Sequence, residues 1–584
     1  MILMVVGVKN SDVCAVFRRM AEIMEILGED VYRIRAYQRA AQNIENLPED
    51  IAAVAGRGEL TKIPGIGREI ARKIEEILAT GTLQKYEELK KKVPPGLVEL
   101  LQVPGIGPKT ARMLYDELGI ENVAALERLA REGRLKGLPG IKAKTEENIL
   151  RGISLMRSVQ ERRPLGLVLP LARHITALLR ERAPVSRVSP AGSIRRYRET
   201  VGDVDILAAS ADPERVVDVF INLPFVAEVI AHGSTKGSVR TPDGLQIDLR
   251  VVPEESYGAA LCYFTGSKAH NIRVRELGVR RGLKINEYGV FRGKDRIAGA
   301  TEEEVFAAVG LPYIPPEMRE DRGEIEAGLE GRLPQVVALA DIKGDFHVHS
   351  KYSDGSASLE EIAERARRLG LEWVAVCDHS QSLKVAGGLS ATALEKKRAA
   401  INKFNAHSPD VKLLCGAEVE IGVDGGLDYH DEILASLDVV VAAIHTAFRQ
   451  SEEVQTRRLL NAINNPYVHV VAHPTGRLIG ERAGYAVDLE RVFEAAAHTG
   501  TLLEINAYYK RLDLNDAYAR AAAEKGVRFV IGSDAHLLDQ MDFLDLGVGV
   551  ARRGWLTAQQ VINTLSYPEL LKTLKQKRDL MSDI

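Results

Sequence analysis

The chain has 584 residues, of which 45% are hydrophobic and 27% charged, and its formal net charge is −3. This length predicts several domains, and the composition is that of an ordinary globular protein. No apolar run is long enough for a membrane span, which argues against a membrane protein. The four cysteines have no metal-site spacing, and the apolar start MILMVVGV is short and lacks a basic lead. We therefore expect a reducing, cytoplasmic compartment and no secretory signal.

Charge is distributed unevenly along the chain. Residues 141–200 contain 13 Lys and Arg against 5 Asp and Glu, whereas residues 401–440 contain 2 basic and 8 acidic residues. Clustered basic residues favour phosphate binding, and clustered acidic residues favour cations. The two halves of the chain are therefore predicted to perform different chemistry.

The chain begins with predicted amphipathic helices, in which Val13, Phe17, Met20 and Met24 form one apolar stripe. The next helical segment, YRIRAYQRAA at residues 32–41, interleaves arginines with tyrosines. This pattern suits a DNA backbone or an exposed 5′ end, and it equally suits a solvated helix face.

A short glycine motif recurs in the basic region. It reads PGIG at residues 64–67 and 104–107, and PGIK at residues 139–142. Each copy predicts a tight hairpin between two helices, with backbone N–H groups facing outward as an anion site. One such hairpin would be an ordinary turn, but three at similar spacing resemble helix-hairpin-helix motifs, which bind DNA phosphates without reading sequence. Lys142 replaces the second glycine in the third copy, which we therefore expect to be degenerate or structural.

The most specific chemical signal of the first half is GSIRRYRETVGDVD at residues 192–205. Asp203 and Asp205 are two residues apart on a predicted strand, so their carboxylates face the same side. Asp248 lies on a second predicted strand, in LQIDLRVV. Carboxylates that close repel one another, and a pair of divalent cations would relieve the repulsion and activate a nucleophile. An exposed strand end is the alternative for Asp-x-Asp alone.

The turn before these aspartates has the residues of a phosphate site. Gly192 and Ser193 offer free N–H groups and a hydroxyl, and Arg195 and Arg196 follow as predicted phosphate partners. The complete pattern, with Gly202 before the first aspartate, resembles the nucleotidyltransferase signature of family X DNA polymerases, the relatives of DNA polymerase beta.

This resemblance implies roles for five of these residues. Asp203, Asp205 and Asp248 would bind two Mg²⁺ or Mn²⁺ ions, and Asp248 would lie where the primer 3′-hydroxyl is activated. Ser193 and Arg196 would hold the triphosphate of a deoxynucleotide.

The helix after the first glycine motif contains Lys73. Aligned on that motif, it matches the lysine that forms the Schiff base in the 5′-deoxyribose-phosphate lyase of DNA polymerase beta. Such a nucleophile needs a lowered pKa, to which the neighbouring Arg72 would contribute. A lysine that contacts phosphate is the alternative, and Glu69, which stands where the relative has a basic residue, weakens the case for a lyase.

The segment YGAALCYFTGSKAHNIRVRELGVRRGLKINEYGVF resembles the nucleotide-selecting subdomain of the same family. The resemblance implies six contacts with the nucleotide or the DNA: Tyr263, Phe264, Gly266, Lys268, Asn271 and Arg275. Tyr263 and Phe264, in a turn under the sugar, would leave no room for a 2′-hydroxyl. Asn271 would touch the base in the minor groove, and Arg275 would reach the template strand. Lys268 departs from the acidic residue of DNA polymerase beta and would hold the base or triphosphate before DNA arrives. An aromatic-rich turn in an ordinary sheet is the alternative.

The second half repeats one arrangement, in which an apolar run predicts a buried strand and a metal-ligand residue type follows at its end. Helical segments separate these runs, so the pattern predicts an α/β barrel with functional groups at the carboxyl ends of its strands. Nine residues form the candidate set: His347, His349, Asp354, His379, Glu418, His445, His473, Asp534 and His536. Nine groups exceed the need of one zinc ion and suit two or three metals bridged by Glu418.

This ordered set resembles the PHP domain at the C-terminus of many bacterial family X polymerases. The resemblance implies a distorted (β/α)7 barrel with Zn²⁺ or Mn²⁺ that hydrolyses phosphodiesters as a 3′→5′ exonuclease, with cleavage at abasic sites as a second expected activity. Two alternatives stay open: a small-molecule phosphoesterase fused to a DNA-binding module, and a metal-stabilised scaffold without catalysis.

The expected organisation is multidomain, with all-α helix-hairpin-helix domains, an α+β palm and thumb, and the C-terminal barrel. The predicted boundaries are 1–90 for a lyase-like DNA-binding domain, 91–155 for a second helix-hairpin-helix domain, 156–255 for the palm, 256–315 for the thumb, 316–340 for a linker and 341–584 for the PHP domain. The expected partners are gapped or nicked double-stranded DNA and deoxynucleoside triphosphates. We expect a nucleoid-associated monomer that fills short gaps in DNA repair.

Overall fold

The computed structural model describes residues 10–45, 51–63, 65–103, 106–136 and 162–582, with a few positions between 138 and 153. It divides into two compact units, Met1–Glu161 and Arg162–Ile584. The predicted motif residues Gly105 and Lys142 lie outside the described residues. Among the described helices, none combines the length and apolar character needed to cross a bilayer.

Among its described residues, the first unit contains helices joined by turns and no strand. The helices whose bounds the structure describes are α1 to α8, in order: Asn10–Ile26, Val31–Glu45, Ile51–Gly56, Arg68–Thr80, Gln84–Lys90, Pro95–Glu99, Pro108–Leu118 and Val123–Arg131. Their apolar faces share one core cluster that extends from Val13 to Ile153. The unit confirms the predicted all-α fold, and its core is continuous across the predicted boundary between its two domains.

The described residues of the first two glycine motifs have the same local structure. Helix α4 begins directly after Gly67, and α7 begins directly after Gly107, both glycines having extended backbones. The turn before each is closed by one hydrogen bond, from Ile66 N to Ile63 O at 3.1 Å and from Ile106 N to Val103 O at 3.0 Å. In both copies the first N–H groups of the following helix are left without intrahelical partners, as the sequence repeat predicts.

The second unit begins with a mixed sheet. The strands up to residue 298 are β1 to β10, in order: Arg163–Pro164, Arg187–Pro190, Thr200–Val201, Asp203–Ala209, Glu228–His232, Lys236–Arg240, Gln246–Val252, Lys284–Asn286, Gly289–Arg292 and Asp295–Ala298. The central sheet has the order β2-β4-β7-β6-β5, in which β4 and β7 are parallel and the other neighbours antiparallel. This sheet carries the three predicted catalytic aspartates.

Helices cover this sheet and continue into the thumb-like region. They are Leu165–Arg182, Gly192–Arg195, Pro213–Ile221, Tyr257–Thr265, Lys268–Arg280, Glu302–Ala308 and Glu324–Leu329. Tyr263 and Phe264 lie in the last turn of a helix, and not in a turn as the sequence predicted. The chain leaves the helix only at Gly266, whose φ of 71° lies in the positive region that glycine adopts without strain.

The rest of the second unit is a parallel barrel. Its strands are β11 to β17, in order: Gly344–Val348, Trp373–His379, Lys412–Glu420, Val439–Ala443, Val470–Val471, Leu502–Asn506 and Phe529–Gly532. They pair in sequence order, and a bridge between Val348 and Ala535 links the last strand to the first. Its helices are Leu359–Arg368, Ala391–His407, Asp431–Leu434, Glu452–Ile463, Leu489–Thr499, Asp516–Glu524, Leu544–Arg553 and Tyr567–Ser582. This nearly closed seven-stranded barrel confirms the predicted (β/α)7 fold.

Candidate active sites

The three predicted catalytic carboxylates meet at the centre of the mixed sheet. Asp205 on β4 and Asp248 on β7 are direct neighbours across the parallel pair, and Asp203 lies two residues before Asp205. One oxygen of each carboxylate lies within 4.8 Å of the others. Burial, with the charges of Asp203 and Asp248, raises the pKa of Asp205 to about 7. Such a group of carboxylates suits divalent cations, whose charge would remove the repulsion.

Asp248 has neighbours that the sequence analysis did not identify. The Ser238 hydroxyl donates to its Oδ1, and Gln246 Nε2 donates to its Oδ2 at 3.0 Å. Lys236 Nζ lies 3.9 Å from Oδ1. Ser238 and Lys236 alternate along β6, which pairs with β7, so the alternation in KGSVR was the signal available in the sequence.

The glycine of the predicted phosphate turn lies directly against one catalytic carboxylate. Gly192 has a φ of 57°, and a Cβ on it would lie 2.2 Å from Asp205 Oδ2. Both the backbone conformation and the available space therefore require glycine. Ser193 follows in the same short helix, and Gly202 immediately precedes β4, so the predicted turn residues are neighbours of the carboxylate group.

The first of the two predicted phosphate arginines is fully engaged by the protein. Both Arg195 Nη atoms donate to Glu302, at 2.8 and 2.5 Å, and Nη1 also donates to the Thr265 hydroxyl. Arg319, which is fully buried, donates to the same carboxylate at 2.6 Å. Burial alone would raise the pKa of Glu302, but Arg195 and Arg319 lower it to about 2. We therefore assign Arg195 to an internal ion network.

Arg196, the second predicted phosphate arginine, has one carboxylate contact and one backbone contact beside the turn. Its Nε donates to Glu320 at 3.1 Å, and its Nη1 donates to the carbonyl oxygen of Thr265. The acidic partners of the two arginines follow more than 100 residues later in the chain. Sequence reasoning missed both, because a charged residue in a sequence does not reveal its partner.

The predicted nucleotide contacts form a second group close to the turn. The Asn271 side chain donates to the carbonyl oxygen of Tyr263 at 2.8 Å, and Arg275 Nε donates to the carbonyl oxygen of Asn271 at 3.2 Å. These three residues line one pocket. Tyr263 is 42% exposed, and its ring packs edge-on against Phe264, with ring centroids 5.1 Å apart. Lys268 is exposed at the start of the next helix, so its ammonium is open to solvent.

The predicted lyase lysine is partly buried in the first unit. Lys73 Nζ donates to the Tyr37 hydroxyl at 2.7 Å and pairs with Glu69. Burial alone would lower the pKa of Lys73, but the hydrogen bonds to Glu69 and Tyr37 raise it overall. A Schiff-base nucleophile must lose its proton, so this environment opposes lyase chemistry at neutral pH.

The nine predicted ligands of the second half converge at one end of the barrel. Four lie on strands (His347, His379 and Glu418, on β11, β12 and β13) or follow one directly (His349). His445, His473 and Asp534 each lie two residues after their strands, β14, β15 and β17. Because parallel strands place their carboxyl ends at one rim, side chains distant in sequence come together.

Glu418 lies at the centre of this group. Its carboxylate is 2.9 Å from His379 Nδ1, 2.9 Å from His473 Nε2 and 3.2 Å from His445 Nε2. His347 Nε2 lies 3.5 Å away. Burial alone would raise the pKa of Glu418, but the imidazoles of His445 and His379 hold it well below its ordinary value. The predicted bridging position of Glu418 is thus consistent with its geometry.

Two aspartates complete the group around His349. Its Nε2 lies 3.3 Å from Asp534 Oδ1, and its Nδ1 lies 3.5 Å from Asp354 Oδ1. His536 and His379 each lie 3.4 Å from Asp354 Oδ2. Burial and the neighbouring His536 and His379 lower the pKa of His349 to about 4. A neutral imidazole is the form that binds metals.

The donor set fits divalent cations. Three overlapping sets of ligand atoms, each within 4.8 Å, are present: His349, Asp354, His379 and His536; His347, His349 and Asp534; and His379, Glu418 and His445. All supply nitrogen or carboxylate oxygen, which suits Zn²⁺ and Mn²⁺. Since the sets share His349 and His379, adjacent ions would share their surroundings.

Two further glutamates orient the ligands and were missed by the sequence analysis. Glu504 Oε1 lies 2.7 Å from His347 Nδ1, and Glu420 Oε2 lies 2.8 Å from His445 Nδ1. Such contacts fix the tautomer of a ligating histidine. A Cβ on Gly532 would lie 2.3 Å from Glu504, so glycine leaves the space for this pair. Glu504 lies on β16, the one barrel strand without a predicted ligand, and an acidic residue inside LLEIN was the available signal.

Family comparisons cover most of the chain. Residues 8–83 match the helix-hairpin-helix domain, and residues 97–154 match the SAM-like helix-hairpin-helix tandem. Residues 260–320 match the DNA polymerase beta thumb, and residues 345–508 match the PHP domain.

Individual relatives agree with these matches. The chain is 38% identical over 571 residues to "DNA polymerase/3'-5' exonuclease PolX" of Bacillus subtilis, which covers 97% of this chain and 99% of that protein. A probable phosphatase of Caldanaerobacter subterraneus is 31% identical over 43% of this chain and 96% of its own length. DNA polymerase lambda of Arabidopsis thaliana is 26% identical over 53% of this chain and 62% of its own length. From the likeness over nearly its full length, the chain belongs to the family X DNA polymerases with a C-terminal PHP domain.

Proposed function

We propose that this chain is a DNA polymerase and 3′→5′ exonuclease that fills short gaps in DNA repair. The observation that carries the proposal is the direct pairing of Asp205 with Asp248 across β4 and β7, with Asp203 on the same face. A chain that only bound DNA would have no need for three repelling carboxylates beside a phosphate turn. The two activities in the name of the Bacillus subtilis relative, DNA polymerase and 3′-5′ exonuclease, support the same function.

At the polymerase site, Asp203, Asp205 and Asp248 would hold two Mg²⁺ or Mn²⁺ ions. These ions would supply activation of the primer hydroxyl and neutralisation of developing phosphate charge. The chain's own residues would position the reactants: Ser193 and Arg196 at the triphosphate, and Gly192 and Gly202 by giving the turn its shape.

The thumb residues would select the nucleotide. Tyr263 and Phe264, with the turn at Gly266, would pack under the sugar and leave no room for a 2′-hydroxyl. Asn271 and Arg275 would contact the base pair and the template strand. Lys268, which is exposed, would hold the nucleotide before DNA arrives.

At the exonuclease site, the nine-residue group would hold two or three Zn²⁺ or Mn²⁺ ions, with Glu418 as the bridge. The ions would lower the pKa of a bound water and bind the phosphodiester. Glu504 and Glu420 would hold the proton of His347 and of His445 on Nδ1, which leaves Nε2 of each ring free to act as a ligand.

The substrates proposed are gapped or nicked double-stranded DNA and deoxynucleoside triphosphates, acted on by a monomer. The domain boundaries we propose are those predicted from the sequence, with the palm at 156–255, the thumb at 256–315 and the PHP domain at 341–584. Cleavage at abasic sites remains a prediction for the PHP site, and lyase activity at Lys73 remains a prediction for the first unit.

The test uses a duplex with a one-nucleotide gap, a labelled primer, all four deoxynucleotides and Mn²⁺. We expect the Asp203→Ala/Asp205→Ala variant only to degrade the primer, and the His347→Ala/His349→Ala variant only to extend it. The matched control is His430→Ala/His498→Ala, in which both histidines are exposed, and it should keep both activities. If each double variant keeps both activities, the chemistry has been assigned to the wrong residues.

A further inference from the structure

One helix of the barrel packs against the polymerase half of the second unit. We call Leu544–Arg553 the docking helix. A Cβ on its Gly549 would lie 2.1 Å from the Tyr197 ring, so ring and helix backbone are in direct contact. The Tyr197 hydroxyl donates to Asp545 of the docking helix at 3.0 Å. Tyr197 immediately follows Arg196, so the barrel fixes the chain next to the phosphate turn.

The last residue of the docking helix reaches the phosphate turn itself. Arg553 is only 4% exposed, and its Nη1 donates to the backbone carbonyl oxygen of Arg196 at 2.7 Å. The same Nη1 donates to Glu320 at 2.9 Å, and Nη2 donates to Asp516 at 2.8 Å. A buried guanidinium with three fixed acceptors is held in one orientation.

Arg553 and Arg196 share one carboxylate, that of Glu320. A single oxygen, Oε1, lies 3.1 Å from Arg196 Nε, 2.9 Å from Arg553 Nη1 and 3.9 Å from Arg198 Nη1. Burial would raise the pKa of Glu320, but Arg553 and Arg196 lower it overall, so the carboxylate is ionised. Asp516, the second carboxylate bound by Arg553, also pairs with Arg322 at 3.0 Å. Two carboxylates thus face the four guanidinium groups of Arg196, Arg198, Arg322 and Arg553, and positive charge is left beside the turn for an anion.

Of the arginines around Glu320, Arg196 and Arg553 are the two within 3.1 Å of its Oε1, and they compete for its charge. If a neutral residue replaced Arg553, Glu320 would pair fully with Arg196, and a triphosphate would have to break that pair in order to bind. With Arg553 present, the carboxylate is already engaged from the other side. The hydrogen bond from the Arg553 side chain to the Arg196 carbonyl oxygen also fixes the backbone from which the Arg196 side chain extends.

We propose that Arg553 of the PHP half is a positioning residue for nucleotide binding at the polymerase site. It engages Glu320, so that this carboxylate contacts Arg196 only through Nε, and it thereby leaves the charge of the Arg196 guanidinium available to the triphosphate. This inference rests on the proposed function, in which Arg196 contacts the triphosphate. Through Arg553 the PHP half contributes to the polymerase site, and this contribution does not involve the predicted metal ligands of the exonuclease site.

The test compares KM for the deoxynucleotide and kcat of gap filling in the full-length protein. We expect Arg553→Gln to raise KM about tenfold, with kcat changed less than about twofold, since a charge-assisted contact is lost in binding. Arg553→Lys keeps the charge and should stay within about threefold of wild type. Glu320→Gln should lower KM, and the double variant Glu320→Gln/Arg553→Gln should return KM to near the wild-type value. If Arg553 had a purely structural role, the double variant would have a higher KM than either single variant.

The matched control is Arg552→Gln. Arg552 is the neighbouring residue on the docking helix, and it pairs with Glu317 at 2.8 Å and with the Val337 carbonyl without reaching Arg196. We expect its KM to be unchanged. The exonuclease rate and melting temperature of every variant report whether the fold is retained.

The inference is overturned if Arg553→Gln leaves KM at the wild-type value, or if kcat falls instead. It is also overturned if the double variant has a higher KM than either single variant. If Arg553→Gln does not fold, Glu320→Gln decides, because an unchanged or higher KM in that variant also overturns it. Failure of the proposed function would look different, since wild-type protein would then incorporate no nucleotide.

Discussion

Glu302 offers the sharpest test of the electrostatics described above. It is 5% exposed and accepts hydrogen bonds from both Arg195 and the fully buried Arg319. It thereby joins the phosphate turn, the start of helix Glu302–Ala308 and the segment that leads to the barrel. Glu302→Gln keeps the shape of the side chain and removes its charge, which leaves the fully buried Arg319 and the partly buried Arg195 without their shared partner.

The expected magnitude follows from the pKa of Glu302. Its value falls from 4.5 to about 2 on folding. At about 1.4 kcal/mol per pKa unit, the ionised carboxylate contributes about 3 kcal/mol to the free energy of unfolding. Breaking a buried ion pair by removing one partner costs about 3–5 kcal/mol, which agrees.

The pH dependence has a definite sign. Because folding depresses the pKa of Glu302, its contribution is fully present above the unfolded pKa of 4.5 and is lost as pH falls toward the folded value of about 2. About 1 kcal/mol of the contribution should already be missing at pH 4. The gap in stability between wild type and Glu302→Gln should therefore narrow over this window.

The assay is urea unfolding of wild type, Glu302→Gln and the matched control Glu303→Gln at pH 7 and pH 4. Glu303 is exposed on the same helix, and its substitution should change stability by less than about 0.5 kcal/mol. The reasoning is refuted if Glu302→Gln is as stable as Glu303→Gln at pH 7. It is equally refuted if the gap widens at pH 4.

Three further changes test other parts of the structure. Gly549→Ala should lower the melting temperature, since its methyl group would overlap a tyrosine ring and overpacking costs about 1–3 kcal/mol, whereas Gly56→Ala meets nothing within 4 Å and should be neutral. Glu504→Gln should weaken Mn²⁺ binding in calorimetric titration about tenfold, because the carboxylate that orients a ligating histidine loses its charge. Glu69→Gln should increase borohydride trapping of a 5′-deoxyribose-phosphate end about twofold, because it lowers the pKa of Lys73.

Each of these has an outcome that would contradict it. Equal melting temperatures for the two glycine variants would mean that the docking helix is not in tight contact. Unchanged Mn²⁺ affinity would mean that the glutamate on β16 does not orient its histidine. Trapping that persists in Lys73→Ala would assign the Schiff base to another residue.

Local patterns in the sequence predicted most of the two sites. Asp203 and Asp205 could be placed on one face because strand side chains alternate with a period of two. The histidines of the second half could be grouped because each follows an apolar run, and parallel strands bring their ends together. The glycine motifs predicted hairpins, and the described residues of the first two copies share one turn hydrogen bond and one helix start.

The residues that were missed share one property, which is that their role depends on a partner far away in the chain. Glu302 and Glu320 engage the turn arginines from more than 100 residues away, and Glu504 holds His347 from 157 residues away. Tyr263 was placed in a turn, although its backbone is helical, because the glycine that ends the helix follows only three residues later.

The sequence by itself thus determined the chemistry of each site, since ligand type and spacing along one strand are local properties. Only the tertiary structure decided which charges are available. Arg195 and Arg196 are neighbours with the same side chain, yet one is fully paired with Glu302 while the other shares Glu320 with Arg553 of the barrel. The physical reason is that Coulomb interactions and desolvation depend on distance and burial in three dimensions, and neither can be obtained from the order of residues alone.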